Sequence, residues 1–357
     1  MKINKSLVFK KMMNTQERDI EEFVKTFTTV DWLKDKTVMV TGATGLIGSC
    51  TVKCLLGLDK AYHLNMRIVV VVRNLDKAKV MFGDGYPSLS YYIYDFGSSA
   101  DFLAPACDYI FHYACPTASR YFIEHPVETV KSLVNGTETM LEYQRKHPTS
   151  CMVYVSSMEV FGVVDDDSKP LDEEILGSVS LTDIRSSYPQ GKRMAELMCF
   201  AYAKQYHLHV RIGRLAQTFG AGIARNDNRV FAQFARSIIN KEDIILHTKG
   251  ESARDYCYTT DAILGLFFIL MHGEDGECYN IANEETYCSI REMADMLCRE
   301  FNPNSHTIIQ LQDGMGYPAT TKLRLSTSKL RRLGWQPYVG LREMFARLIA
   351  SLREEGE

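Results

Sequence analysis

No CxxC pair occurs among the ten cysteines of this 357-residue chain, and no hydrophobic run is long enough to cross a bilayer. The first absence removes the usual spacing of zinc ligands, and no metal site is expected. Most of the cysteines sit in apolar segments, where a free thiol acts as a small hydrophobe, so a reduced, cytoplasmic protein is expected. The longest apolar runs, Ile68 to Val72 and Ala262 to Met271, are too short for a span, so no membrane insertion is expected. Charge of either sign is not in excess: the net charge is −3, which implies no broad attraction to nucleic acid or membrane. The basic N-terminus lacks a sustained apolar stretch and a small-residue cleavage site, so no signal peptide is expected. Internal repeats and low-complexity tracts are also missing.

What is there is a chain that is 46% hydrophobic, enough for a large core. Residues 1–35 read as an N-terminal extension, with "ERDIEEFVKTF" at helical spacing. Strand and helix patterns then alternate. Strands are expected at "TVMV", "IVVVV", "LSYYIY", "YIFHYA", "CMVYVSS" and "HVRIGRL". Helices are expected from Leu46 to Leu56, at "DKAKVMF", from about Val127 to Lys146 and from about Tyr188 to Tyr206. That rhythm predicts an α/β fold: a Rossmann-like, doubly wound parallel sheet over residues 36–216. After Gln217 the rhythm breaks into helices at Val230–Ile239, Asp261–Met271 and Ser289–Phe301, with short strands at "IILHT" and "CYNIA". Residues 217–357 therefore read mainly as a smaller C-terminal α/β substrate-binding lobe, with some segments returning to the Rossmann core.

"VMVTGATGLIGS" places Gly42, Gly45 and Gly48 between the first strand and the first helix. Glycines at this spacing allow a tight turn, close approach of a pyrophosphate and close packing of helix on sheet. Dinucleotide binding is the expectation, with Thr44, Leu46 and Ile47 filling the loop. NAD is the expected cofactor, but Arg73 and Asn74 stand where an acidic residue often holds the ribose of NAD, which leans toward NADP or leaves the choice open. Arg73 could equally stack on the adenine. Asp95 is a candidate for the adenine amino group or the cap of a turn. Phe96, Tyr113 and Ala114 complete the candidate cofactor-binding set.

"SSYPQGKRMAE" holds Tyr188 and Lys192, one helical turn apart on one face. An ammonium beside a phenol favours the phenolate, so a lowered tyrosine pKa is expected, fitting a proton donor and acceptor in hydride chemistry. Both residues are also counted with the cofactor contacts.

Together "TGATGLIG", "SSMEVFG", "YPQGK", "RLAQTFGAG", "DNRVF" and "GESARDYCYTTDA" resemble, in order, the extended short-chain dehydrogenase/reductase family. Within it the chain is similar to the NAD-dependent nucleotide-sugar epimerases, dehydratases and decarboxylases. The stretch "YACPTASRYFIEHPVETVKSLVNGTETML" looks most like the UDP-glucuronate decarboxylase branch. The resemblance implies a cytoplasmic lyase or isomerase acting on a nucleotide sugar through a 4-keto intermediate. It also implies a homodimer built through a four-helix bundle. Tyr188 would be the base, Lys192 its modulator and ribose anchor, Ser157 a hydrogen bonder to the reacting oxygen, and Glu159 a proton handler. Thr117, Ser119, Met158, Gln217, Arg229 and Arg254 would face the substrate, with Arg254 reaching an oxyanion.

Met158 departs from the family pattern. The 4,6-dehydratases carry Asp there to protonate a leaving hydroxyl, and a thioether transfers no proton. Decarboxylation of a β-keto acid needs no such acid, so a UDP-glucuronate decarboxylase-like activity is expected. The alternative is an epimerase, 4,6-dehydratase or reductase on a different nucleotide sugar, which Gln217 in place of the family's Asn keeps open.

Overall fold

A computed structural model describes residues 13–98, 100–164, 168–312 and 320–354. Residues 1–12 of the expected extension lie outside the described residues. Helix α1 (Thr15–Thr26) opens with a capping box: the Asn14 side chain accepts from the Glu17 N–H, and the Glu17 carboxylate accepts from the Asn14 N–H. Then follow β1 (Thr37–Thr41), α2 (Leu46–Tyr62), β2 (Arg67–Val72), α3 (Leu75–Phe82) and β3 (Leu89–Ile93). The chain crosses back through β4 (Tyr109–His112), α4 (Ser119–Glu124), α5 (Pro126–Lys146), β5 (Cys151–Ser157), α6 (Ser187–Tyr206) and β6 (His209–Leu215). Next come β7 (Gln217–Phe219), α7 (Val230–Asn240), β8 (Ile244–Leu246), β9 (Ala253–Tyr258), α8 (Thr259–His272) and β10 (Cys278–Ile281). The remainder is β11 (Asn283–Ser289), α9 (Ile290–Phe301), β12 (Thr307–Ile309), β13 (Lys322–Leu323), α10 (Ser328–Arg332) and α11 (Leu341–Glu354).

Seven strands form the main sheet in the order β10-β6-β5-β4-β1-β2-β3, every neighbouring pair parallel. Helices cover both faces of such a sheet, so β1 is buried at all five positions and β2 at five of six, which is why those strands read as unbroken apolar runs. The order reverses between β1 and β4, and the crevice at the C-terminal ends of these two strands is where an open α/β sheet takes its ligand. "CYNIA", read from sequence with the smaller lobe, is instead the edge strand β10, paired with β6 from Cys278↔Ile212 to Ile281↔Leu215.

A second sheet is centred on β9, which pairs with β7, β11 and β13, and it rests on a separate apolar cluster that includes Phe219, Phe231, Tyr256 and Phe345. The apolar run of α8 is explained without lipid: ten of its fourteen residues are buried, because core lies on nearly all its sides. Among the described residues no helix is long and apolar enough to cross a membrane.

Helix α1 ties the ends of the chain together. Phe23 and Phe27 set their rings edge-on to Phe267 of α8, at 5.6 and 5.4 Å. The N–H and hydroxyl of Thr15 donate to Glu354 of α11, and Asp19 accepts from Arg347 at 2.9 Å and from the Tyr258 hydroxyl at 2.5 Å.

Candidate active site

The glycine loop is built by close approach of backbone to backbone. Gly42 has φ +62°, and a Cβ there would lie 2.9 Å from the Ala114 nitrogen. A Cβ on Gly48 would lie 2.5 Å from the Gly42 carbonyl oxygen. Gly45 is the N-cap of α2 and brings no side chain to its first turn, so those N–H groups are left for an anion. Close backbone approach and uncapped N–H groups are what a dinucleotide pyrophosphate needs. Behind it, Thr41 Oγ1 accepts the Ala114 N–H at 3.2 Å and lies 2.7 Å from Nδ1 of buried His112. Burial, and secondarily the charge of Lys192, pushes the His112 pKa down to about 3, so a neutral imidazole holds Thr41 in place. Tyr113 is anchored to α2 by a 2.8 Å hydrogen bond between its hydroxyl and that of Thr51. Thr44, Leu46 and Ile47 are half-buried, Leu46 against the second apolar cluster and Ile47 against the main core.

The other cofactor candidates divide. Arg73 is exposed at the end of β2, and Asn74 next to it caps α3 through the Lys77 N–H. Asp95 accepts the Gly97 N–H at 2.9 Å, the turn-capping alternative read from the sequence. Phe96 is buried and sets its ring against His112 at 5.4 Å, in the core.

The reacting groups converge at the end of β5. Ser157 closes that strand, and its hydroxyl accepts the Glu159 N–H at 3.2 Å, starting a short 3-10 helix over Met158–Phe161. Tyr188, in the first turn of α6, is buried and stacked on Phe122 with centroids 4.3 Å apart. Lys192 follows one turn later, its Nζ donating to the Val155 carbonyl at 2.7 Å, 4.8 Å from the Tyr154 ring and 5.9 Å from that of Tyr188. The lowered tyrosine pKa expected from this pair is not what results. Burial first, then Cys115 and Glu159, hold the phenol well above its ordinary value, while a hydrogen bond with Ser157 and the charge of Arg185 oppose them. The lysine's nearest partner is a carbonyl rather than the phenol oxygen, so burial wins.

Glu159 is not free. Arg185, in a 3-10 turn over Ile184–Ser186, donates Nη1 to one carboxylate oxygen at 3.1 Å and Nη2 to the other at 3.2 Å. Met158 is 4% exposed, in an apolar cluster with Phe161, Leu171, Ala216, Leu323 and others. Of the remaining substrate-side candidates, Gln217 opens β7 opposite Tyr256, on the strand that carries Arg254. Arg254 Nε is buried and has no hydrogen-bond partner among the described residues. Arg229 is neutralised by Asp227, with contacts of 3.0, 3.1 and 2.6 Å, and its guanidinium lies over Phe231. Thr117 and Ser119 are exposed at the start of α4.

A model of the NAD dependent epimerase/dehydratase family matches residues 38–282, from the first strand through β10. The chain belongs to this family. As a member of the epimerase/dehydratase family it is an NAD-dependent enzyme, and the glycine cradle is where its residues fit the cofactor. It is 30% identical over 309 residues to UDP-glucuronic acid decarboxylase 3 of Arabidopsis thaliana, covering 86% of each chain. It is 29% identical to UDP-glucuronic acid decarboxylase 1 of Xenopus tropicalis, covering 94% of this chain and 77% of the relative. Among solved structures, the fold is shared with a dTDP-glucose 4,6-dehydratase of Streptomyces venezuelae, at TM-score 0.74 and 24% identity, covering 89% of this chain and 97% of that one. It is shared also with a UDP-glucose 4-epimerase of Thermotoga maritima, at TM-score 0.73 and 20% identity, covering 90% and 100%.

Two residues in contact with the candidate site were not read from the sequence. Arg185 stands three residues before Tyr188, so the motif passes over it, and only the fold reveals its pairing with Glu159. His112 sits inside an apolar strand that reads as core, and its bond to Thr41 joins two strands distant in sequence. Among the described residues no group of metal-binding side chains occurs.

Proposed function

We propose that this chain decarboxylates UDP-glucuronate through a 4-keto intermediate. The observation that carries the reading is the pairing of Ser157, Glu159 and Tyr188 with a buried thioether at position 158, where dehydration would need an acid. The likeness to UDP-glucuronic acid decarboxylases agrees with it. The glycine loop would hold the pyrophosphate of NAD, which when bound would supply the hydride acceptor. Tyr188 takes the proton of the sugar 4-hydroxyl, and Ser157 donates to the same oxygen. Lys192, held by the Val155 carbonyl, keeps a positive charge beneath the phenol. Once C4 is a ketone, the carboxylate on C5 belongs to a β-keto acid. Carbon dioxide then leaves, its bonding electrons pass to the ketone oxygen as an enolate, and Ser157 and Tyr188 hydrogen-bond that oxygen. Glu159, gripped by Arg185, relays a proton from water to C5. Tyr188 then returns its proton to the C4 oxygen as the hydride comes back to C4, so carbon dioxide is the only mass lost. Arg254, whose buried Nε has no partner among the described residues, binds an oxyanion of the substrate.

The proposed assembly is a homodimer. Helices α5 and α6 pack on each other and leave Val127 and Val130 of α5 and Met194 and Leu197 of α6 exposed, a face suited to a second copy in a four-helix bundle. Ten free cysteines suit a reducing compartment such as the cytoplasm.

The test of activity is the product mass after incubation with NAD and UDP-glucuronate. Loss of one carbon dioxide is expected. An unchanged mass with no reduced cofactor would overturn the reading.

A further inference from the structure

We infer that Arg185 is a positioning residue: by gripping both oxygens of Glu159 it fixes that carboxylate beside Tyr188 and cancels its negative charge there. The inference rests on the proposed role of Tyr188 as the base. Its support is geometric. The two contacts, 3.1 and 3.2 Å, run one to each carboxylate oxygen, a fork that a guanidinium makes and an ammonium cannot. Both side chains are about three-quarters shielded, at 24% and 26% exposure, so the pair is screened less than a surface ion pair. Arg185 is itself held in place: Asp183 accepts its backbone N–H at 3.0 Å and begins the turn that runs directly into α6. The segment that presents Tyr188 therefore also presents the counter-charge to Glu159.

Among the described residues, five ionisable groups bear on Tyr188. They are Cys115 from the loop after β4, Tyr154 on β5, Glu159, Arg185, and Lys192 on its own helix. Phe122 and Leu133 supply the apolar remainder. Of the five, Glu159 is the one carboxylate, and Arg185 grips it. Without Arg185 that charge stands unopposed and disfavours the phenolate.

The test is the pH dependence of kcat/KM in the holoenzyme with UDP-glucuronate, where the acidic limb reports ionisation of the base. Arg185→Gln is expected to move that limb up by about one pH unit, lowering kcat/KM near neutrality about tenfold. Glu159→Gln should move it the other way, and the double variant should return it close to wild type. Arg185→Lys keeps the charge and loses the fork, so the limb should stay while kcat falls. A limb that does not move in Arg185→Gln would overturn the inference, whatever happens to the rate. A limb that persists in Tyr188→Phe would instead overturn the choice of base on which it rests. The same shift must appear without turnover, in the tyrosinate absorbance of each NAD-loaded variant after subtracting that of the same protein carrying Tyr188→Phe. Its absence there would count equally against the inference.

Discussion

Met158 shows how one side chain narrows a reaction. It is 4% exposed among apolar neighbours, so the site is shaped to keep water and charge away from this position. Giving the chain the aspartate of a dehydratase would not make it one. Met158→Asp is expected to bury an unpaired carboxylate and cost about 3 kcal/mol or more, visible in denaturant unfolding, with no hydroxyl elimination gained. A variant that stayed stable and eliminated water would reverse this view. The candidate site was legible where residues are local: the glycines, Ser157, Tyr188 and Lys192 lie in short motifs that name them as candidates. It was illegible where partners are chosen by the fold. The ties of Arg185 to Glu159, Arg229 to Asp227 and His112 to Thr41 are settled by packing, which gives both arginines a carboxylate to hold.

Between elements, buried polar ties hold the catalytic helix to its sheet. Arg214 of β6 contacts Glu196 of α6 at 2.7 Å, donates to the Glu173 carbonyl and lies over the Phe161 ring, joining β6, α6 and the segment after β5. Asp255 of β9 makes a buried polar tie within the second lobe instead, accepting the Leu325 N–H with one oxygen while the other has no partner among the described residues. Burial raises its pKa from 3.8 to about 7. Below pH 4 both folded and unfolded chains carry it protonated, and its contribution to stability is intact. As pH climbs from about 4 toward 7 the unfolded chain ionises first, so that contribution is lost progressively and is gone above 7. Asp255→Asn lacks this titration. Between pH 5 and pH 8 wild type should lose about 3 kcal/mol more than the variant, measured as unfolding free energy at each pH. Parallel losses would show that Asp255 ionises normally in the fold.

At the scale of the whole molecule, the doubly wound sheet followed from alternating strands and helices, because a parallel sheet buried on both faces prints itself as apolar runs. Strand β9 did not, since "ARDYCY" mixes charge with aromatic residues and has no clean period. The second sheet was consequently read only as a discontinuous lobe. The proposed dimer is also a property of the whole. Leu197 is 59% exposed on α6, and Leu197→Glu is expected to convert a dimer into a monomer in light scattering after gel filtration. A wild type that is already monomeric would remove the four-helix bundle from consideration.

The edge strand β10 shapes how the protein is made. β6 ends at Leu215, yet its outer edge stays open until Cys278–Ile281 arrives to pair with it. During synthesis, more than sixty residues must leave the ribosome before that edge is covered, roughly 3 to 13 seconds at common elongation rates. Over that interval six of the seven strands can form a sheet with an unpaired flank, ready to pair with another nascent chain. Chaperone dependence and aggregation should therefore be most acute for fragments ending between β6 and β10, and should ease once β10 has emerged.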